Sequence, residues 1–159
     1  MTEGGSACIR VIGRANFTAG VDFKTLTTEL CRRGCTRFVL ELSECVLMDS
    51  TFLGLLAGLG LRLSNGNDSH GVQLLNPNAR VVDLLETLGV LDLFEICRES
   101  AASAADARLV PHDGPAASRD EVTRTCIEAH QTLMNLSPEN AARFKDVTQF
   151  LAEGLKNPA

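Results

Sequence analysis

Apolar and polar positions change period several times along the first hundred residues. Residues 7–12, Ala-Cys-Ile-Arg-Val-Ile, make a short β-type run that Gly13 closes. The pattern then turns helical. Val21, Phe23, Leu26 and Leu30 recur on one face, behind a cap that Asn16 or Thr18 can supply. Arg32 and Arg33 stand in the last turn and Gly34 follows, which is where cations and a glycine belong. Residues 38–42 predict a strand, and residues 46–48 a short apolar approach to the next element. Residues 65–68 read as a loop, 72–75 as a strand, and Asn76-Pro77 as a turn. A third helix follows, with Val81, Leu84, Leu85 and Leu88 inward and Gly89 at its end. Residues 93–97 predict a last strand and the Ala-rich residues 100–108 a further helix. Strands alternating with helices predict an α/β layer architecture.

Residues 51–63, TFLGLLAGLGLRL, have helical length but almost no polar face, so they must be covered on more than one side. Gly54, Ala57, Gly58 and Gly60 are small, and each glycine weakens a helix by up to about 1 kcal/mol. Close packing has to compensate. The G-x-x-x-G spacing of Gly54 and Gly58 fits helix–sheet contact better than dimerisation outside a membrane.

Pro111-His112-Asp113-Gly114-Pro115 breaks regular structure. The chain therefore divides into an α/β domain over residues 7–108, a linker over 109–117 and a helical hairpin over 118–157. The first hairpin helix opens on a capping box, Ser118 to Glu121, with Val122, Cys126 or Ile127, and Leu133 inward. Ser137-Pro138-Glu139 starts the second, whose apolar stripe is Phe144, Val147, Phe150 or Leu151, and Leu155. The expectation is that this hairpin docks over or beside the helix that follows Ser50. The rival is a self-association or partner-binding arm, with a second subunit covering the apolar helix.

Composition narrows the function. A chain of 159 residues is about one domain. The formal charge is -5, and Trp and Tyr are missing, so neither phosphate attraction nor base stacking points to nucleic acid. The charge-free stretch from Cys45 to Leu61 is broken by Asp49 and is too short to span a bilayer. The N-terminus lacks the pattern of a signal peptide. Six cysteines contain no C-x-x-C pair, so reduced core thiols are expected rather than a metal site or disulfides. Cys31 and Cys35 read as ordinary thiols, and Arg32-Arg33 as helix-end charges. The expectation is a cytoplasmic protein without metal or cofactor.

The run FVLELSECVLMDSTFLGLLAGL sets Asp49, Ser50 and Thr51 between a β-type segment and a helix. Asp and Ser in such a place most often cap the helix. A hydroxyl there can also carry phosphate, because free N–H groups and the dipole favour the added charge. Residues 38–43 (FVLELS) and 48–54 (MDSTFLG) resemble the hallmark of the STAS-domain family of bacterial anti-sigma-factor antagonists. Gly13-Arg14-Ala15-Asn16 resembles that family's G-x-L-D turn, with Asn16 in place of Asp, and residues 74–77, 88–90 and 93–96 resemble its later elements. The resemblance implies a STAS-like mixed sheet flanked by helices. It implies binding, not catalysis: the unphosphorylated protein holds an anti-sigma factor, often a serine kinase, and frees a sigma factor. Carried over by position, Ser50 is the phosphorylation site, and a PP2C-type phosphatase restores it. Asn16, Asp49, Ser50, Thr51 and Phe52 form the implied partner-binding surface. The chain departs from the family in a shorter N-terminal hairpin, in Phe52 where glycine is usual, and in the C-terminal helices.

Other classes fit less well. A hydrolase elbow needs glycines that residues 47–52 lack, and His70, His112 and His130 have no route to Ser50 that the sequence reveals. A phospho-aspartate receiver needs an acidic pair where residues 13–16 read Gly-Arg-Ala-Asn. The runner-up is a STAS scaffold without a sigma partner, in a stressosome-like or transporter complex, which the helical tail favours.

Overall fold

The structure is a computed structural model and describes residues 5–63, 71–98 and 118–156. The helix expected over residues 100–108, the linker and the loop over 65–68 lie outside the described residues.

Strand β1 (Gly5–Arg10) starts earlier than the alternation suggested and stops before Ile12. Gly13, at φ 80°, turns the chain into the short β2 (Gly13–Ala15). Helix α1 (Phe17–Arg32) ends beside Gly34, at φ 98°, and leads to β3 (Cys35–Glu41). Then come β4 (Cys45–Met48), α2 (Ser50–Leu63), β5 (Val72–Leu75) and α3 (Ala79–Thr87). Gly89, at φ 70°, ends that helix turn. Residues 91–93 wind into a 3-10 turn, so the expected last strand shrinks to β6 (Glu95–Cys97).

Four strands form one sheet in the order β1-β3-β5-β6, and β2 pairs separately with β4. Every described pairing is parallel, which corrects the mixed sheet expected above. The reason is local. A helix lies between β2 and β3, between β4 and β5 and between β5 and β6, and such crossovers return the chain in the same direction. Among the described residues the N-terminal run makes no antiparallel hairpin. Phe38, Leu40, Val72 and Leu74 alternate along β3 and β5 and are buried on one face of the sheet, whereas Cys8, Val39, Gln73 and Glu95, in register on the other face, are half-buried or exposed.

The tail forms α4 (Arg119–Leu136) and α5 (Pro138–Lys156). Ser118 Oγ accepts from Glu121 N at 3.1 Å and Ser137 Oγ from Asn140 N at 3.1 Å, so both expected caps are made. The hairpin lies on the α/β unit: α4 packs on α2 and on α1, and Leu133 and Phe144 join the main core. This is the docking that the polar-free helix called for. The α5 stripe is corrected, however. Phe144 faces in, but Val147 is exposed and Phe150 is 75% exposed. The inward line instead runs through Thr148, whose hydroxyl reaches Met134 Sδ at 3.4 Å, and half-buried Leu151. Asn140 is buried and anchors the hairpin, its Nδ2 donating to Leu88 O at 2.8 Å and Leu133 O at 2.9 Å. Among the described residues no helix is long and apolar enough to cross a membrane.

Candidate functional site

The pairing of β2 with β4 sets Ala15 opposite Met48 and so brings the two residues that follow them, Asn16 and Asp49, to one edge. The link continues past the ladder, since Asp49 N donates to Ala15 O at 2.9 Å. Each of the two then caps a helix. Asn16 Oδ1 accepts from Ala19 N at 3.0 Å, and Asp49 Oδ1 accepts from Phe52 N at 2.8 Å. Thr18 plays no part in the α1 cap. Two helix N-termini therefore start side by side, which makes this edge receptive to added negative charge.

Ser50 is the first residue of α2 and is half-buried. Its Oγ lies 2.9 Å from His130 Nε2 on α4. The other ring nitrogen, Nδ1, lies 2.6 Å from the Cys126 carbonyl. A carbonyl only accepts, so Nδ1 carries a proton, and in the neutral ring Nε2 presents its lone pair. In that tautomer the Ser50 hydroxyl is the donor. His130 is buried, with its ring packed 5.0 Å from that of Phe144. This corrects the expectation that none of the histidines reaches Ser50. His70 and His112 lie outside the described residues.

Thr51 and Phe52, which the resemblance placed on the partner surface, are 5% and 2% exposed. Phe52 fills the space behind the site, its ring 4.8 Å from that of Phe23. Bulk at that position therefore serves the core here, and little of either side chain is exposed. Asn16, Asp49 and Ser50 remain at the surface, each half-buried.

Three residues around this edge carried no expectation of a partner surface. Ile12 precedes β2, Phe17 starts α1 and Val46 lies in β4, and they are 64%, 48% and 56% exposed. Large apolar side chains that stay wet beside two capped helix ends form a surface suited to another protein. A cleft of about 250 Å³ runs alongside, lined by Ile9, Val11, Ile12, Arg14 and Ala19. No signal in the periodicity separates such residues from core positions. Val46 reads as part of an apolar run and is exposed because it points to the face of β4 opposite buried Cys45.

Among the described residues no group of His, Cys, Asp and Glu side chains could hold a metal ion. Burial pushes the Cys45 thiol up, away from the reactive thiolate.

No family model matches the chain, and no curated protein matches it. Among solved structures it is similar to the anti-sigma factor antagonist SpoIIAA in its unphosphorylated form. The TM-score is 0.54 at 20% sequence identity, and the match covers 67% of this chain and 90% of that one. The α/β unit thus has the STAS-like fold that the motif run implied.

Proposed function

We propose that this protein is an anti-sigma factor antagonist controlled by phosphorylation of Ser50. The unphosphorylated form binds an anti-sigma factor that is itself a serine kinase, and so releases a sigma factor. Phosphate on Ser50 breaks the complex, and a PP2C-type phosphatase restores it. The observation that carries this reading is the position of Ser50. It stands directly after the capping Asp49, at the start of α2, in a fold shared with an anti-sigma factor antagonist. A phosphoryl group there adds about -1.5 to -2 charge, which the helix end accommodates and an acidic or apolar partner surface does not.

Binding rather than hydrolysis fits the surroundings of the Ser50–His130 pair. The imidazole is oriented by a backbone carbonyl, not a carboxylate, and it lies buried against Phe144 in the α2–α4 seam.

Capture from a lysate of the source cells, followed by mass spectrometry, tests the reading. Recovery of a GHKL-type serine kinase together with a sigma factor supports it. The docked hairpin favours a second reading, a STAS scaffold, and recovery of a stressosome-like or membrane transporter complex instead would replace the switch with that role.

A further inference from the structure

We propose that the α4–α5 hairpin is a lock on Ser50: docked, it holds the hydroxyl against His130, and phosphorylation of Ser50 and docking of α4 exclude each other. This rests on Ser50 being the phosphate acceptor. Three observations lead to it.

The first is space. Ser50 Oγ and His130 Nε2 are already at hydrogen-bond distance, 2.9 Å, and a phosphoryl group adds four heavy atoms at Oγ. None of them fits between the two atoms. The Phe144 ring, 5.0 Å away, backs the imidazole, and Ala129 and Leu133 on the same helix are buried. The ring cannot retreat without α4.

The second is charge. With Nδ1–H committed to the Cys126 carbonyl, the neutral imidazole presents its Nε2 lone pair to Ser50. A dianion at Ser50 would meet an acceptor on one side and the Asp49 carboxylate on the other. The hydrogen bond that now helps to seat α4 becomes a repulsion.

The third is how unevenly the hairpin is attached. Near α5 it is held by Leu133, Phe144 and the two hydrogen bonds of buried Asn140. Against α1 it is held by the exposed Lys24–Glu128 ion pair, with a cleft on either side. One, of about 310 Å³, is lined by Thr27, Gly58, Arg62 and Thr132, and the other, of about 570 Å³, by Thr25, Glu121, Arg124 and Thr125. Interiors are close-packed, so a seam with two open clefts is a docking contact. The lock requires α4 to lift from α1, where the clefts lie, and to open its close contact with α2 at Gly54 and Ala129, while the Asn140 end stays in place.

The test needs no kinase. Protein carrying phosphoserine at position 50, installed during translation, is compared with the unmodified chain by hydrogen exchange. The lock predicts that amides of residues 122–131 exchange faster by more than about tenfold, while those of β3 and β5 keep their protection. Unchanged or slower exchange in α4 overturns it, the slower case meaning that a protonated His130 clasps the phosphate. Equal acceleration in β3 and β5 also overturns it, because the phosphate would then unfold the domain. In His130→Ala without phosphate the same α4 amides should already exchange faster, and an unchanged pattern counts against the lock. The reading of Ser50 as acceptor fails separately, if lysate kinase and ATP label Ser50→Ala as fully as the natural chain.

Discussion

Gly54 and Ala129 meet backbone to backbone. A methyl group built on Gly54 would overlap the Ala129 carbonyl and lie 2.8 Å from its Cβ, so α4 can sit on α2 only because position 54 has no side chain. The contact is one helical turn beyond Ser50, and it brings His130, the next residue of α4, onto the hydroxyl. A glycine in mid-helix, unfavourable by itself, is thereby explained by what it admits.

Gly54→Ala should therefore destabilise the protein although alanine is the better helix former. The propensity gain is about 1 kcal/mol. Overpacking against backbone costs about 1–3 kcal/mol and has to be relieved by moving α4. Thermal denaturation should show a melting temperature lowered by a few degrees, and a rise would contradict the close approach.

Asn140 should be more sensitive to charge than to truncation. Its amide donates to two carbonyls at 2.8 and 2.9 Å in a buried site. Asn140→Ala leaves both acceptors unsatisfied, at about 1–3 kcal/mol. Asn140→Asp keeps the shape but turns a carboxylate toward the same carbonyls, and should cost more. Chemical denaturation of the two variants ranks them, and an aspartate variant as stable as the alanine one would contradict the assignment.

The apolar edge should matter to binding and not to folding. Ile12 and Phe17 are 64% and 48% exposed. In Ile12→Ser and Phe17→Ser the captured partner should bind at least about tenfold more weakly, a loss of about 1.4 kcal/mol each, with melting within a degree or two of the natural chain. Unaltered affinity in both would place the partner elsewhere.

Glu29 gives a pH signature at the end of α1. Hydrogen bonds from Arg32, and then from Arg33, hold its carboxyl down to about 2 from the ordinary 4.5. The depressed value means that the cluster's contribution is present above the ordinary value and is lost as pH falls toward 2. Solvent screens these exposed side chains, so stability should change little. An NMR titration of Glu29 reads the midpoint directly, and Arg32→Ala should move it upward.

The legible parts of the molecule were those decided by short-range chemistry. Asn16, Ser118 and Ser137 reveal themselves as caps because a cap needs only a side-chain oxygen and an amide three residues on. The docking of the hairpin was legible too, since residues 51–63 had no face to spare for water. What escaped was rotation and partnering. His130 lies 80 residues from Ser50, and which face of α4 meets α2 depends on the fit of Gly54 against Ala129. Phe52 looked like partner surface because a resemblance fixes position, whereas its burial against Phe23 is settled by α1. The parallel direction of β1 follows from the α1 crossover that separates it from β3, and the apolar run concealed only that Val11 and Ile12 lie outside β1.

The most direct test of the account is the affinity of the captured anti-sigma kinase for this protein with and without phosphate on Ser50, measured by titration calorimetry. The account predicts tight binding of the unmodified chain and binding at least about a hundredfold weaker once Ser50 carries phosphate, some 2.7 kcal/mol or more. Equal affinities for the two forms would contradict it.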